Sequence, residues 1–190
     1  MTPPSVAAIV VAGGSGERLG REGGKQLAMV AGLPVLLWTL KALAEEPQIG
    51  LIIIVTHPER VAEYRVLAVE PLGLSVPVVF VPGGESRQAS VAAGLALVPD
   101  SADVVLVQDG ARPLLTRALV AQALAALQAD PSAAGVVVGH PAVDTLKLVE
   151  GGAVISTPDR SRYWAVQTPQ FFRSAALSCL LYTSPSPRDS

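Results

Sequence analysis

Residues 8–27 read AIVVAGGSGERLGREGGKQL, an apolar run that breaks into glycine and is followed by two cations, Arg18 and Lys25. Glycine lets backbone N–H groups approach an anion closely, and a helix that starts after such a loop adds a favourable dipole. Two cations beside that backbone suit a triphosphate. The familiar phosphate-binding patterns do not fit. A dinucleotide fingerprint needs G-x-G-x-x-G, and Gly14, Gly16 and Gly20 carry one residue too many. A P-loop needs glycine where Leu19 stands and Ser or Thr where Gln26 stands. A nucleophile elbow around Ser15 needs glycine at Glu17. Spacing alone leaves two readings open: an anion-binding loop, or a glycine turn beside two solvated cations.

Asp109 is the second candidate. It closes the apolar run VVLVQD and is followed by GARP. Carboxylates at strand ends are where Mg²⁺ ligands often project, and the competing reading is a turn aspartate bonded to its own backbone. His57 and His140 are far apart and lack metal-ligand spacing, so both are read as structural. Cys179 has no motif around it and is read as packing; Trp38 and Trp164 are read as core or interface residues.

The elements that must position these groups follow from the hydrophobic pattern. Continuous β-branched runs recur at 6–12, 51–56, 76–82, 103–109 and 134–140. Unbroken rather than alternating runs indicate strands covered on both faces, as in parallel sheets. Helical periodicity lies between them at 33–47, 58–70, 86–98 and 116–130, with Pro34 suited to a first turn and Thr116 to an N-cap. Strands alternating with helices predict an α/β fold built on a doubly wound, mostly parallel sheet. Ligands of such sheets bind at the carboxyl ends of the strands, which is where the glycine loop and Asp109 fall. The segment DTLKLVEGGAVIST departs from this pattern and predicts a protruding β-hairpin with Glu150 and the two glycines in its turn. An arm of that kind has no core of its own to build, which suggests packing on a second copy of the chain.

Composition bounds the function. The 190 residues suit one domain; 50% are hydrophobic and 16% charged, too apolar for disorder. A net charge of −2 argues against a general nucleic-acid binder. One cysteine excludes an internal disulfide and fits a reducing compartment. No stretch approaches the roughly 18 apolar residues that span a bilayer, and the start lacks the basic region of a signal peptide. A soluble, cytoplasmic protein that binds neither membrane nor nucleic acid is expected.

The pieces VVAGGSGERLGREGGKQ, PGGESRQASV, VQDGARP, DTLK and TPDRSRYWAVQTPQFF occur in this order. Together they resemble the 2-C-methyl-D-erythritol 4-phosphate cytidylyltransferases of non-mevalonate isoprenoid synthesis, from about residue 6 to residue 176. The resemblance implies a Rossmann-like nucleotidyltransferase fold, a homodimer joined through the arm at about 143–160, and Mg²⁺ or another divalent cation as cofactor. The reaction implied is transfer of CMP from CTP to a polyol phosphate, with pyrophosphate released. By the same resemblance Arg18 and Lys25 are catalytic cations at the α-phosphate and the leaving group. Ala12, Gly13, Gly14, Ser15 and Gly16 wrap the nucleotide; Gly84, Arg87 and Ser90 lie by the cytosine and ribose; Asp109 holds the metal. Arg112, Thr145, Arg160 and Thr168 are the implied substrate contacts, with Thr145 and Arg160 supplied across the dimer interface.

Family members carry further segments after the position of Ala176, a TDEA-like piece and an N-x-K-x-T piece whose lysine contacts the transferred phosphate. Neither occurs here. Residues 177–190, ending in the Ser/Pro-rich TSPSPRDS, are therefore expected to be a non-native or disordered tail. Losing one cation where charge develops typically costs about 10²–10³ in rate, so the 190 residues are expected to be weakly active or inactive. A ribitol 5-phosphate cytidylyltransferase, a small nucleotidyltransferase using another base, and a non-catalytic nucleotide-binding module are the alternatives.

Overall fold

The computed structural model describes residues 5–14 and 25–183. In chain order the strands are β1 (Val6–Val11), β2 (Met29–Val30), β3 (Leu33–Pro34), β4 (Ile49–Thr56), β5 (Val78–Pro82), β6 (Val104–Asp109), β7 (Gly135–Pro141), β8 (Leu148–Glu150), β9 (Ala153–Ser156) and β10 (Trp164–Arg173). The helices are α1 (Val35–Ala44), α2 (Val61–Tyr64), α3 (Arg87–Leu95), α4 (Arg117–Ala129) and α5 (Ser174–Thr183). Six strands form one sheet in the order β5-β4-β1-β6-β10-β7. The pairs β5–β4, β4–β1 and β1–β6 are parallel, and β10 is antiparallel to both of its neighbours.

Both sheet faces are covered. Ala8, Val10, Ile52, Ile54 and Leu106 point to a core shared with α1, α4 and Tyr64. Ile9, Ile53, Val55, Val105 and Val107 point to the opposite core with Val91 of α3 and Leu177 of α5. Alternate residues of each strand thus go to different cores, and both positions must be apolar, which is why the runs read as continuous. Thr116 caps α4 by accepting the Leu119 N–H at 3.2 Å. Pro34 sits one position earlier than a first-turn proline, as the N-cap of α1, where its ψ of 142° keeps it outside the helix.

Three expectations need correcting. The hydrophobic pattern does not reveal β10: the sheet has an antiparallel strand inserted between β6 and β7, formed by the WAVQTPQFFR stretch. The tail does not begin at residue 177. α5 runs through to Thr183, because Leu177 is buried and Leu181, one turn on, packs on the same core. Residues 184–190 lie outside the described residues. In the hairpin, Glu150 is the last residue of β8 rather than part of the turn. Gly151 and Gly152 alone make the turn, with φ of +55° and +82°, left-handed values that a two-residue type I′ hairpin demands and glycine supplies without strain. All seven residues of β8 and β9 are exposed.

Candidate active site

Because β1, β4, β5 and β6 are parallel, their carboxyl ends emerge on one edge of the sheet. There they open into a cleft of about 720 Å³, within the usual range for a small-ligand site. Its lining gathers Gly13 and Gly14 after β1, Lys25 and Gln26, Thr56 at the end of β4 with His57 after it, and Gly83–Arg87 after β5. Ser90 of α3 and then Asp109, Ala111 and Arg112 from the end of β6 complete it. Sites distant in sequence are therefore joined by strand direction alone.

Asp109 is the electrostatic centre. Its Oδ1 accepts from Arg87 Nη2 at 3.2 Å, and its Oδ2 accepts from Arg112 Nε at 2.9 Å. Arg87 is the first residue of α3, a helix started by Ser86, whose hydroxyl accepts the Ala89 N–H at 3.0 Å. The cap fixes where the helix begins and so where Arg87 projects. Arg112 is carried by the loop after β6, which is pinned to α1 through the Thr39 hydroxyl donating to the Arg112 carbonyl at 3.2 Å. Among the described lining residues, three Lys or Arg side chains face two carboxylates, Glu85 and Asp109.

Lys25 opens a single 3₁₀ turn, Lys25–Leu27. The turn sends Lys25 to the cleft and buries Gln26, whose Nε2 donates to the Gly14 carbonyl at 3.4 Å. A Cβ on Gly14 would lie 3.8 Å from Lys25 Cε, so the lysine stem lies against the glycine backbone. Across the cleft, the Ser90 hydroxyl both accepts the Gly84 N–H at 3.2 Å and donates to the Gly84 carbonyl at 3.4 Å. Gly84 itself must be glycine: a Cβ there would come within 2.5 Å of Ala89 Cβ.

The expected site residues divide accordingly. Gly13, Gly14, Lys25, Gly84, Arg87, Ser90, Asp109 and Arg112 come together on the cleft. Ser15, Gly16 and Arg18 lie outside the described residues. Ala12 does not face the cleft: it is buried, its N–H donates to the Val55 carbonyl at 2.8 Å, and its own carbonyl accepts from the Tyr64 hydroxyl at 3.2 Å. Burial pushes the Tyr64 phenol above its ordinary pKa, so it stays a neutral donor there. Ala12 therefore anchors the end of β1, its N–H and its carbonyl both hydrogen-bonded within the protein. Thr168 lies on β10 beside β6, where its hydroxyl accepts the Asp109 N–H at 3.2 Å. Thr145 and Arg160 are exposed at the arm and are not among the residues that line this chain's cleft; Arg160 Nη1 donates to the Val143 carbonyl at 2.6 Å.

Sequence reasoning misses Gln26, Thr56 and His57. His57, expected to be structural, is exposed on the cleft because it is the first residue past the carboxyl end of β4. Position at a strand end, the signal that marks Asp109, is the one that could have found it.

The chain is similar to known proteins of one family. The sequence model of the family described as IspD: 2-C-methyl-D-erythritol 4-phosphate cytidylyltransferase matches residues 6–185. The 2-C-methyl-D-erythritol 4-phosphate cytidylyltransferase of Microcystis aeruginosa is 41% identical over 166 residues, covering 87% of this chain and 72% of that protein. Its counterpart in Prochlorococcus marinus is 42% identical over 165 residues, covering 86% and 71%. The crystal structure of the enzyme of that name from Thermus thermophilus aligns with a TM-score of 0.66 at 34% identity, over 90% of this chain and 71% of that one. A 4-diphosphocytidyl-2C-methyl-D-erythritol synthase from Anaerococcus prevotii shares the fold, with a TM-score of 0.80 at 24% identity over 97% and 80%.

Proposed function

The chain belongs to the 2-C-methyl-D-erythritol 4-phosphate cytidylyltransferase family, and from that premise we propose how its own residues serve the reaction. It is a nucleotidyltransferase that transfers CMP from CTP to 2-C-methyl-D-erythritol 4-phosphate, giving 4-diphosphocytidyl-2-C-methyl-D-erythritol and pyrophosphate in isoprenoid precursor synthesis. The observation that carries the residue assignment is the convergence of Lys25, Arg87, Asp109 and Arg112 on one cleft edged by glycine backbone.

An oxygen of the polyol phosphate attacks the α-phosphorus of CTP while the bond to pyrophosphate breaks. Phosphoryl chemistry of this kind asks for positioning and charge neutralisation rather than a covalent enzyme intermediate. Gly13, Gly14 and Gly84 offer backbone close to the nucleotide. Arg112 takes the polyol phosphate, and Arg87, set by α3, closes the nucleotide side. Lys25 meets the charge that builds on the α-phosphate and leaving group. Ser90 holds Gly84 in place beneath the base.

Asp109 fits a divalent cation: a hard oxygen donor in a polar cleft, as Mg²⁺ prefers. Among the described residues no group of three or more His, Cys, Asp or Glu could enclose a metal. One carboxylate suits a cation whose other ligands come from phosphates and water. Such a cation, when bound, offsets phosphate charge.

The exposed apolar arm supports a homodimer. Leu148, Val149, Val154 and Ile155 of the hairpin, with Val143 and Trp164 at its base, are all exposed in the single chain, an arrangement typical of a surface meant to be covered. Thr145 and Arg160 would then reach the partner's cleft. Sedimentation at micromolar concentration is expected to give a dimer, and Val154→Asp combined with Ile155→Asp to give a monomer with depressed turnover. A monomeric parent protein would end this reading. No described helix is long and apolar enough to cross a membrane; we place the enzyme in the cytoplasm, where both its phosphorylated substrates are water-soluble.

The substrate assignment is tested by pyrophosphate release with CTP and either polyol phosphate. Methylerythritol phosphate is expected to give a kcat/KM at least about tenfold above ribitol 5-phosphate, one tenfold step being roughly 1.4 kcal/mol of differential transition-state binding. Equal values, or a preference for ribitol phosphate, would overturn it.

A further inference from the structure

Gln167 has no role in the scheme above, yet it grips one of its members. Its Oε1 accepts from Arg112 Nη1, while Arg112 Nε donates to Asp109 Oδ2 at 2.9 Å. The guanidinium is thereby held at two of its three nitrogens. Its side chain is 46% exposed and lines the cleft, so donors remain for an anion.

The backbone explains how Gln167 comes to be there. β10 pairs with β6 only over Gln170–Arg173. It pairs with β7 on both sides of an irregularity between Val166 and Gln170. Residues 167–169 are thus released from both ladders beside the carboxyl end of β6. Pro169 has no N–H to give a ladder, and bulges of this kind next to active sites re-aim side chains. The release turns Gln167 toward Arg112 and Thr168 toward the Asp109 N–H.

We propose that Gln167 is a positioning residue: its amide oxygen fixes the guanidinium of Arg112 so that the remaining N–H groups meet the polyol phosphate. This rests on the reading of Arg112 as the polyol-phosphate ligand. A neutral acceptor suits the task. Asp109 already offsets part of the guanidinium charge, and a second carboxylate would compete with the substrate phosphate for the same donors. An amide orients the fork and leaves its charge for the anion.

Gln167→Met keeps length and flexibility and removes the acceptor. It is expected to raise KM for the polyol phosphate about tenfold, the scale of one hydrogen bond to a charged group. KM for CTP and the melting temperature should stay unchanged. Arg112→Ala should raise the same KM further, and the double variant should be no worse than Arg112→Ala alone, because the two side chains act as a unit. The proposal is overturned if Gln167→Met leaves the polyol-phosphate KM unaltered, if its effect adds in full to that of Arg112→Ala, or if both KM values rise with a lower melting temperature. An effect of Arg112→Ala with Gln167→Met silent sinks this inference alone. A silent Arg112→Ala sinks the assignment of Arg112 beneath it, and the inference with it.

Discussion

Lys25→Ala is expected to lower kcat by about 10²–10³-fold, the typical cost of removing one group aimed at developing charge, while CTP affinity falls less than about tenfold. The asymmetry follows from where the charges are. In the ground state the triphosphate has other donors in the cleft, with Arg87 and glycine backbone among its lining. Deleting one ammonium from that set weakens binding modestly. In the transition state negative charge grows on the α-phosphate oxygens and on the departing pyrophosphate. The lysine stem lies against Gly14 on the cleft lining, so its ammonium is expected to meet that charge as it builds. Interactions that strengthen only in the transition state appear in kcat. Lys25→Arg should recover only part of the loss, because a planar guanidinium does not replace a compact point charge of that reach. Steady-state kinetics with CTP varied separates the outcomes: a variant with intact kcat and a raised KM for CTP would assign Lys25 to ground-state binding instead.

The parts of this molecule that are legible in its sequence are those where one local pattern has one cause. Strands β1, β4, β5 and β6 announce themselves because both faces of each are covered, so apolar residues run on without alternation. β10 hides because its middle is Gln167, Thr168 and Pro169, polar or lacking an N–H, and because those three leave the ladder to serve the site. Local pattern fails there for a functional reason. α5 is obscured differently: the Ser/Pro-rich residues after it dominate the composition, while the packing of Leu177 and Leu181 depends on a core formed by β1, β4 and β6. In the site, Lys25 and Asp109 can be found from residue type and position at strand ends. Their relations cannot. The double grip of Arg87 and Arg112 on Asp109 joins residues 22 and 3 positions away, and only the strand order brings α3 over the end of β6. Ala12 shows the converse, since a residue inside a recognisable loop motif spends its backbone on Val55 and Tyr64.

Asp109→Asn should separate the metal from the nucleotide. The substitution keeps shape and removes one negative charge from beside two guanidinium groups. With that charge gone, Arg87 presents its full charge to the nucleotide, so CTP without a divalent cation is expected to bind several-fold tighter, consistent with Coulomb terms of order one to a few kcal/mol near a protein surface. Turnover should move the other way, by about 10²–10³-fold, because the carboxylate that would hold the cation is lost where phosphate charge must be met. Stability should barely change. The partners are 29–46% exposed, and ion pairs that solvated contribute only about 0–1 kcal/mol. Three measurements give the pattern: isothermal titration with CTP in chelator, Mn²⁺ binding to the CTP complex followed by electron paramagnetic resonance, and thermal melting. Tighter metal-free CTP with weaker Mn²⁺ and an unmoved melting temperature is the signature of a metal-holding carboxylate. Unchanged Mn²⁺ affinity in the variant would instead make Asp109 a structural clamp for its two arginines, with the cation held by the phosphates alone.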